Sequence, residues 1–145
     1  MLIPLTFAII YTAQILWIWH SVNDFTRRGA DYAATHCWAG GGNVVNFMRA
    51  NVPPMIDQAQ FQNGVEIAVT YLGRDPESGQ SIPFTCDSEC STSCIPDTVS
   101  VNVTGYEFRT FLQALGLPGV ILPSFRTSIP MEGAGCDPEQ GVCQP

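Results

Sequence analysis

The chain has 145 residues, 46% of them hydrophobic, with 13 acidic side chains against 6 basic ones and a formal net charge of −7. Every basic residue is an arginine, and so acidic a balance argues against nucleic acid as a partner, because phosphates call for a basic face. The surplus reads as ordinary solubilising surface charge, and the length predicts one small domain.

Met1 to Trp19, MLIPLTFAIIYTAQILWIW, has 15 apolar residues of 19 and no charged side chain; the first charge is Asp24. At ~1.5 Å per residue a helix of this stretch reaches roughly 28 Å, close to the ~30 Å hydrocarbon core of a bilayer. A signal peptide would show a basic start and small residues at its cleavage site. Here no arginine precedes the apolar run, and Trp17, Trp19 and His20 stand where small residues should be, so residues 1–19 read as a retained anchor. Leu5, Phe7, Ile10, Leu16, Trp17 and Trp19 are its candidate membrane or assembly positions, with the tryptophans suited to headgroup level. Pro4 falls in the first turn, where its missing N–H costs little.

Residues 20–39 continue the helix outside the membrane. Val22, Phe25, Gly29, Tyr32, Ala33 and His36 recur at helical spacing, whereas Asp24, Arg27, Arg28 and Asp31 share the solvent face, with Asp24–Arg28 and Arg27–Asp31 as i,i+4 pairs. Phe25, Gly29 and Tyr32 are the candidate packing residues. A mid-helix glycine costs ~1 kcal/mol relative to alanine, so Gly29 marks a close contact with another helix or a sheet. Gly40-Gly41-Gly42 ends a helix of ~35 residues.

Residues 43–145 form the head. Asn43 caps a short helix, Val44 to Asn51, stopped by Pro53-Pro54. GVEIAVTYLG, residues 64–73, alternates as a half-buried strand. Residues 74–97 are rich in Pro, Ser, Gly and Asp and read as a long surface loop. Strands follow at Thr98 to Phe108 and at about Val120 to Met131, joined by a helical or irregular crossover; Pro123 and Pro130 mark the later strand as an edge or bulged one. The expected architecture is α+β: one long helix covering the apolar face of a three-stranded antiparallel sheet.

Six cysteines, at 37, 86, 90, 94, 136 and 143, predict an oxidising compartment and a disulfide framework, with Cys136–Cys143 in the tail, residues 132–145, as the first pairing. Cys37 is expected to tie the long helix to Cys86, Cys90 or Cys94. Arg27 and Arg28 would place the flank of the anchor in the cytoplasm by the positive-inside rule, but Asp24 and Asp31 offset them, and the cysteines decide the orientation.

The apolar start with an early proline, LIPLTFAII, the helix DFTRRGADYAA and the late strands ending in SFRTSIPME together resemble the TadE-like family, the pseudopilin-type subunits of tight-adherence (Flp) pili. The resemblance covers roughly residues 1–36 and 98–132, while the cysteine loop and tail are particular to this chain. It implies a pilin-like fold and a non-enzymatic pilin or pseudopilin. Such a subunit is anchored in the inner membrane, then assembled into an extracellular filament with copies of itself or other pilins through the N-terminal helix, with adhesion as a further role. The family's basic leader, and the glutamate that usually precedes the apolar proline segment, have no counterpart in residues 1–145.

Two other classes remain beside it: a monomeric membrane-anchored binding module, and a periplasmic metal or redox protein using CDSECSTSC. Against the last, Cys86, Cys90 and Cys94 have C-x3-C-x3-C spacing with no CxxC pair, which is unlike zinc or cluster motifs. No cofactor is called for. Catalysis has little to draw on, since the only histidines, His20 and His36, lie at the membrane boundary and on the packing face.

Overall fold

The computed structural model describes residues 2–38, 41–86, 90–109, 116, 118–131, 133–137 and 142–143. A single helix, α1, runs from Leu2 to Thr35. Its upper half packs because its apolar residues fall on one stripe: Val22, Phe25, Thr26, Gly29, Ala30, Ala33 and Ala34 are all buried, and six of these seven are no larger than threonine or valine, so the backbone approaches its neighbours closely. The Thr26 hydroxyl donates to the Val22 carbonyl at 2.8 Å and so enters the core with its donor satisfied. On the outer face Asp24 and Arg28 form the expected ion pair at 2.9 Å, whereas Arg27 and Asp31 form none among the described residues. The helix stops at Thr35, short of the Gly40-Gly41-Gly42 expected to end it, and Cys37 beyond it is held by a disulfide.

Helix α2, Gly41–Ala50, starts earlier than expected and inserts Val44 and Met48, both fully buried. A further helix, α3, Gln58–Asn63, has no counterpart in the sequence reading. Its cap is Asp57, whose carboxylate accepts from the Ala59 and Gln60 N–H groups at 3.0 and 3.4 Å and from the Gln60 side-chain amide at 3.1 Å. The helix delivers Phe61 to the core, edge-on to Phe25 at 5.1 Å.

The sheet has four strands, not three, all antiparallel, in the order β2-β1-β3-β6. These are β1 (Glu66–Arg74), β2 (Ser81–Pro83), β3 (Thr98–Thr104) and β6 (Phe125–Pro130). The extra strand, β2, comes from the segment read as loop. The Asp75 carboxylate accepts from the Glu77 N–H and the Ser78 hydroxyl, Gly79 takes φ +69°, and the chain returns along β1. β3 is central: Val99, Val101 and Val103 are fully buried and stand opposite Tyr71, Val69 and Ile67 of β1 and Ile129, Thr127 and Phe125 of β6.

Two long expected strands are each cut in two. Gly105, at φ +83° and beside the Gly64 carbonyl, separates β3 from β4 (Glu107–Phe108). A break containing Pro123 separates β5 (Val120–Ile121) from β6. β4 and β5 pair with each other, as do β7 (Cys136–Asp137) and β8 (Val142–Cys143) in the tail. Most of the expected crossover after β4 lies outside the described residues. The core lies between the upper half of α1, capped by α2 and α3, and the β3–β6 side of the sheet. The fold is α+β.

Candidate membrane and assembly helix

The lower half of α1 inverts the logic of the upper half. Leu2, Ile3, Leu5, Phe7, Ile9, Ile10, Leu16, Trp17 and Trp19 are all exposed, with Leu5 at 62% and Leu16 at 63%. Its two threonines are satisfied within the helix: the Thr6 hydroxyl donates to the Leu2 carbonyl at 2.7 Å and Thr12 to the Ala8 carbonyl at 2.8 Å. A helix whose polar hydroxyls bond to its own backbone suits an apolar surrounding, where an unmade hydrogen bond is costly. By length and composition α1 can cross a membrane, and no residue of its most apolar stretch is fully buried by the rest of the chain; a signal sequence has the same properties.

The head does not begin where the charge begins. Tyr11, Ile15 and Ile18 are half-buried and continue the Val22–Phe25 stripe downward at alternating steps of four and three. Tyr11 meets Phe108 edge-on at 5.8 Å, and Trp19 meets Phe125 at 5.2 Å. Residues 11–19 therefore belong to the apolar segment and to the packed one at once, and Trp19 packs on the head by its edge while remaining 44% exposed. Sequence reasoning missed this overlap because the stripe is invisible where the residues around it are equally apolar.

The three packing residues lie on the upper half. Phe25 is buried against Phe61. Tyr32 is sandwiched between His36, at 3.7 Å between ring centroids, and Phe47 of α2, at 4.0 Å. Gly29 faces Met48: a Cβ there would overlap its Sδ and lie 2.8 Å from its Cε and 2.9 Å from its Cγ. Met48 is fully buried, so this contact has no room for the methyl of an alanine as the side chain stands.

The cysteines brace the other end of the helix. Cys37 pairs with Cys90, Cys86 with Cys94, and Cys136 with Cys143, with Cα separations of 5.6, 6.3 and 3.8 Å, and none is free. Cys37–Cys90 closes a span of 53 residues, and a crosslink of that reach stabilises by about 2–4 kcal/mol by restricting the unfolded chain. Trp38 completes the brace: its indole N–H donates to the Cys94 carbonyl at 3.0 Å and its ring meets Phe84 edge-on at 5.1 Å. Among the described residues no three His, Cys, Asp or Glu side chains gather as metal ligands would.

His20 opens onto a polar groove of about 580 Å3 with Asp24, Arg28 and the Ala50–Pro54 turn, and His36 sits with Nδ1 2.8 Å from the Tyr32 carbonyl. The groups displaced from their ordinary ionisation upward by burial are Tyr71 and Tyr106, and the Tyr106 hydroxyl also accepts from the Asp57 N–H at 3.3 Å.

No protein-family model, curated protein or solved structure matches this chain. The fold by itself defines an α+β protein with one long apolar N-terminal helix and a disulfide-braced head.

Proposed function

We propose that this chain is a pilin or pseudopilin of the TadE-like kind: a non-enzymatic structural subunit of a tight-adherence or type IV-like pilus. In this reading α1 holds the subunit in the inner membrane, and assembly then transfers its lower half from lipid to the flanks of other α1 helices at the filament centre. The head faces outward and carries any adhesive role. The observation that carries the reading is a single helix, apolar all round and exposed over most of its lower half, that continues without a break into the core of an antiparallel α+β head. Lipid and neighbouring apolar helices are the two surroundings that such a surface tolerates. Three disulfides support an oxidising compartment for the head.

Photo-crosslinking separates a subunit from an anchored monomer. A benzophenone amino acid in place of Ile10 should capture a second copy of this chain or another pilin when the protein is expressed with its secretion system, whereas the same group in place of Asn46, exposed on α2, should not. Capture of lipid alone at Ile10 would instead indicate the anchored binding module.

A further inference from the structure

The head reaches down α1 well below the first charge. Phe108 of β4 touches Tyr11, and Phe108 and Met55 close an apolar notch of about 160 Å3 with Gln14, Trp17 and Ile18. From Tyr11 to Trp19, about 12 Å of helix, α1 has the head on one side and the uncovered Leu16 on the other, with Trp17 at the edge of the notch. The elements at this level expose apolar surface too. Ile121, paired with Glu107 across β4–β5, is 72% exposed; Met55 is 57% and Val120 41% exposed.

We propose that the β4–β5 pair and Met55 form a lipid-facing foot that seats the head in the headgroup boundary of the bilayer that α1 enters. The inference rests on α1 being a membrane anchor. A bilayer deep enough to cover Leu16 and Trp17 reaches the level of Phe108, so it also meets β5 and Met55. The occupant is lipid rather than a peptide because Met55 and Phe108 lie directly against Trp17 and Ile18, so the apolar surface of the head adjoins that of the helix itself. The foot is prepared for that setting. β4 pairs with β5, and the backbone C=O and N–H of Glu107 are taken by the Gln60 side chain at 2.9 and 3.0 Å. The Arg109 guanidinium donates through Nε and Nη2 to one oxygen of Glu107, and the nearby Asp57 carboxylate is occupied by the α3 cap. Tyr11, Trp17 and Trp19 occupy the same band, the level at which amphipathic rings concentrate.

Depth-dependent quenching tests the foot. The full chain is reconstituted into phosphatidylcholine vesicles with a dansyl amino acid in place of Ile121, in a second variant in place of Met55, and in a control in place of Asn46. Nitroxide placed high on the acyl chain should quench the probes at 121 and 55 by about twofold and leave the control unchanged, as burial to the headgroup–acyl boundary requires. If vesicles float with the protein but both probes answer to aqueous iodide and not to the nitroxide lipid, the foot is wrong and the anchor stands. Shielding from both quenchers would mean that a second copy covers the surface, which also overturns the lipid assignment. Failure of the protein to float with the vesicles would overturn the anchor and the foot together.

Discussion

The two halves of α1 are equally helical and both rich in apolar residues, yet they meet opposite fates. In residues 20–35 the apolar and small residues keep to one stripe, polar residues fill the other face, and the stripe disappears into the head. In residues 2–19 apolar residues surround the helix, and only Tyr11, Ile15 and Ile18 find cover. A helix buries what its neighbours can reach, and one small sheet reaches only one side. The arrangement of apolar residues around the axis, more than their number, separates a packing helix from one whose remaining faces await a different solvent.

The comparison is broken most forcefully by exchanging damage between the halves. Phe25→Ala removes a buried ring in contact with Phe61 and should destabilise the head by about 3–5 kcal/mol in urea denaturation of the detergent-solubilised chain, with membrane retention unchanged. Leu16→Arg should do the reverse. If the proposed reading holds, an arginine here stands on a membrane-spanning helix and costs about 2.5–3.5 kcal/mol on insertion scales, so retention and assembly should fall steeply, while the denaturation midpoint of the head stays where it is. A head destabilised as much by Leu16→Arg as by Phe25→Ala would erase the distinction.

Gly29 sharpens the upper half. Gly29→Leu drives a side chain into Met48 and should cost about 1–3 kcal/mol by overpacking; Gly29→Ala should cost far less, because a methyl displaces only the flexible end of Met48 and recovers the ~1 kcal/mol that a helical glycine costs. Thermal melts of the two variants beside the parent decide it.

The smallest effect lies at the sheet edge away from α1. Hydrogen bonds from the Ser78 hydroxyl and the Glu77 N–H hold the Asp75 carboxyl below its ordinary value of 3.8. A depressed carboxyl contributes stability that is complete above its unfolded value and is lost as pH falls through the lowered one. Amide shifts of Glu77 and Gly79 should therefore move on acidification below pH 3.8, while those of Val22–Ala34 hold still.

What could be read from the sequence divides along the same line. The upper stripe of α1 was legible because Asp24, Arg27, Arg28 and Asp31 contrast with Val22, Phe25 and Gly29, and the alternation of Val99, Val101 and Val103 announced β3. Where contrast fails, so does reading: Tyr11 and Ile18 could not be distinguished as head-contact residues within a uniformly apolar run. Short elements held by one local device were missed as well. β2 depends on the Asp75 turn inside a Pro- and Ser-rich stretch, and α3 on Asp57 with Gln60, an Asp-x-x-Gln cap that the sequence does display. Positive φ at Gly105 split a strand that its valines alone would have carried through. Among the cysteines, the Cys136–Cys143 pairing followed from proximity in the chain, whereas Cys37's choice of Cys90 depends on how the loop returns to the helix.

The central claim is that the lower half of α1 is the surface through which copies associate. Electron cryo-microscopy of filaments sheared from cells producing this chain tests it most directly. The account predicts a central bundle in which residues 2–19 of neighbouring subunits pack on one another, with Leu5, Phe7, Ile10 and Leu16 at the contacts and the heads outside. A filament joined through its heads with the lower helix free, or producing cells whose surface bears no polymer containing this chain, would contradict it.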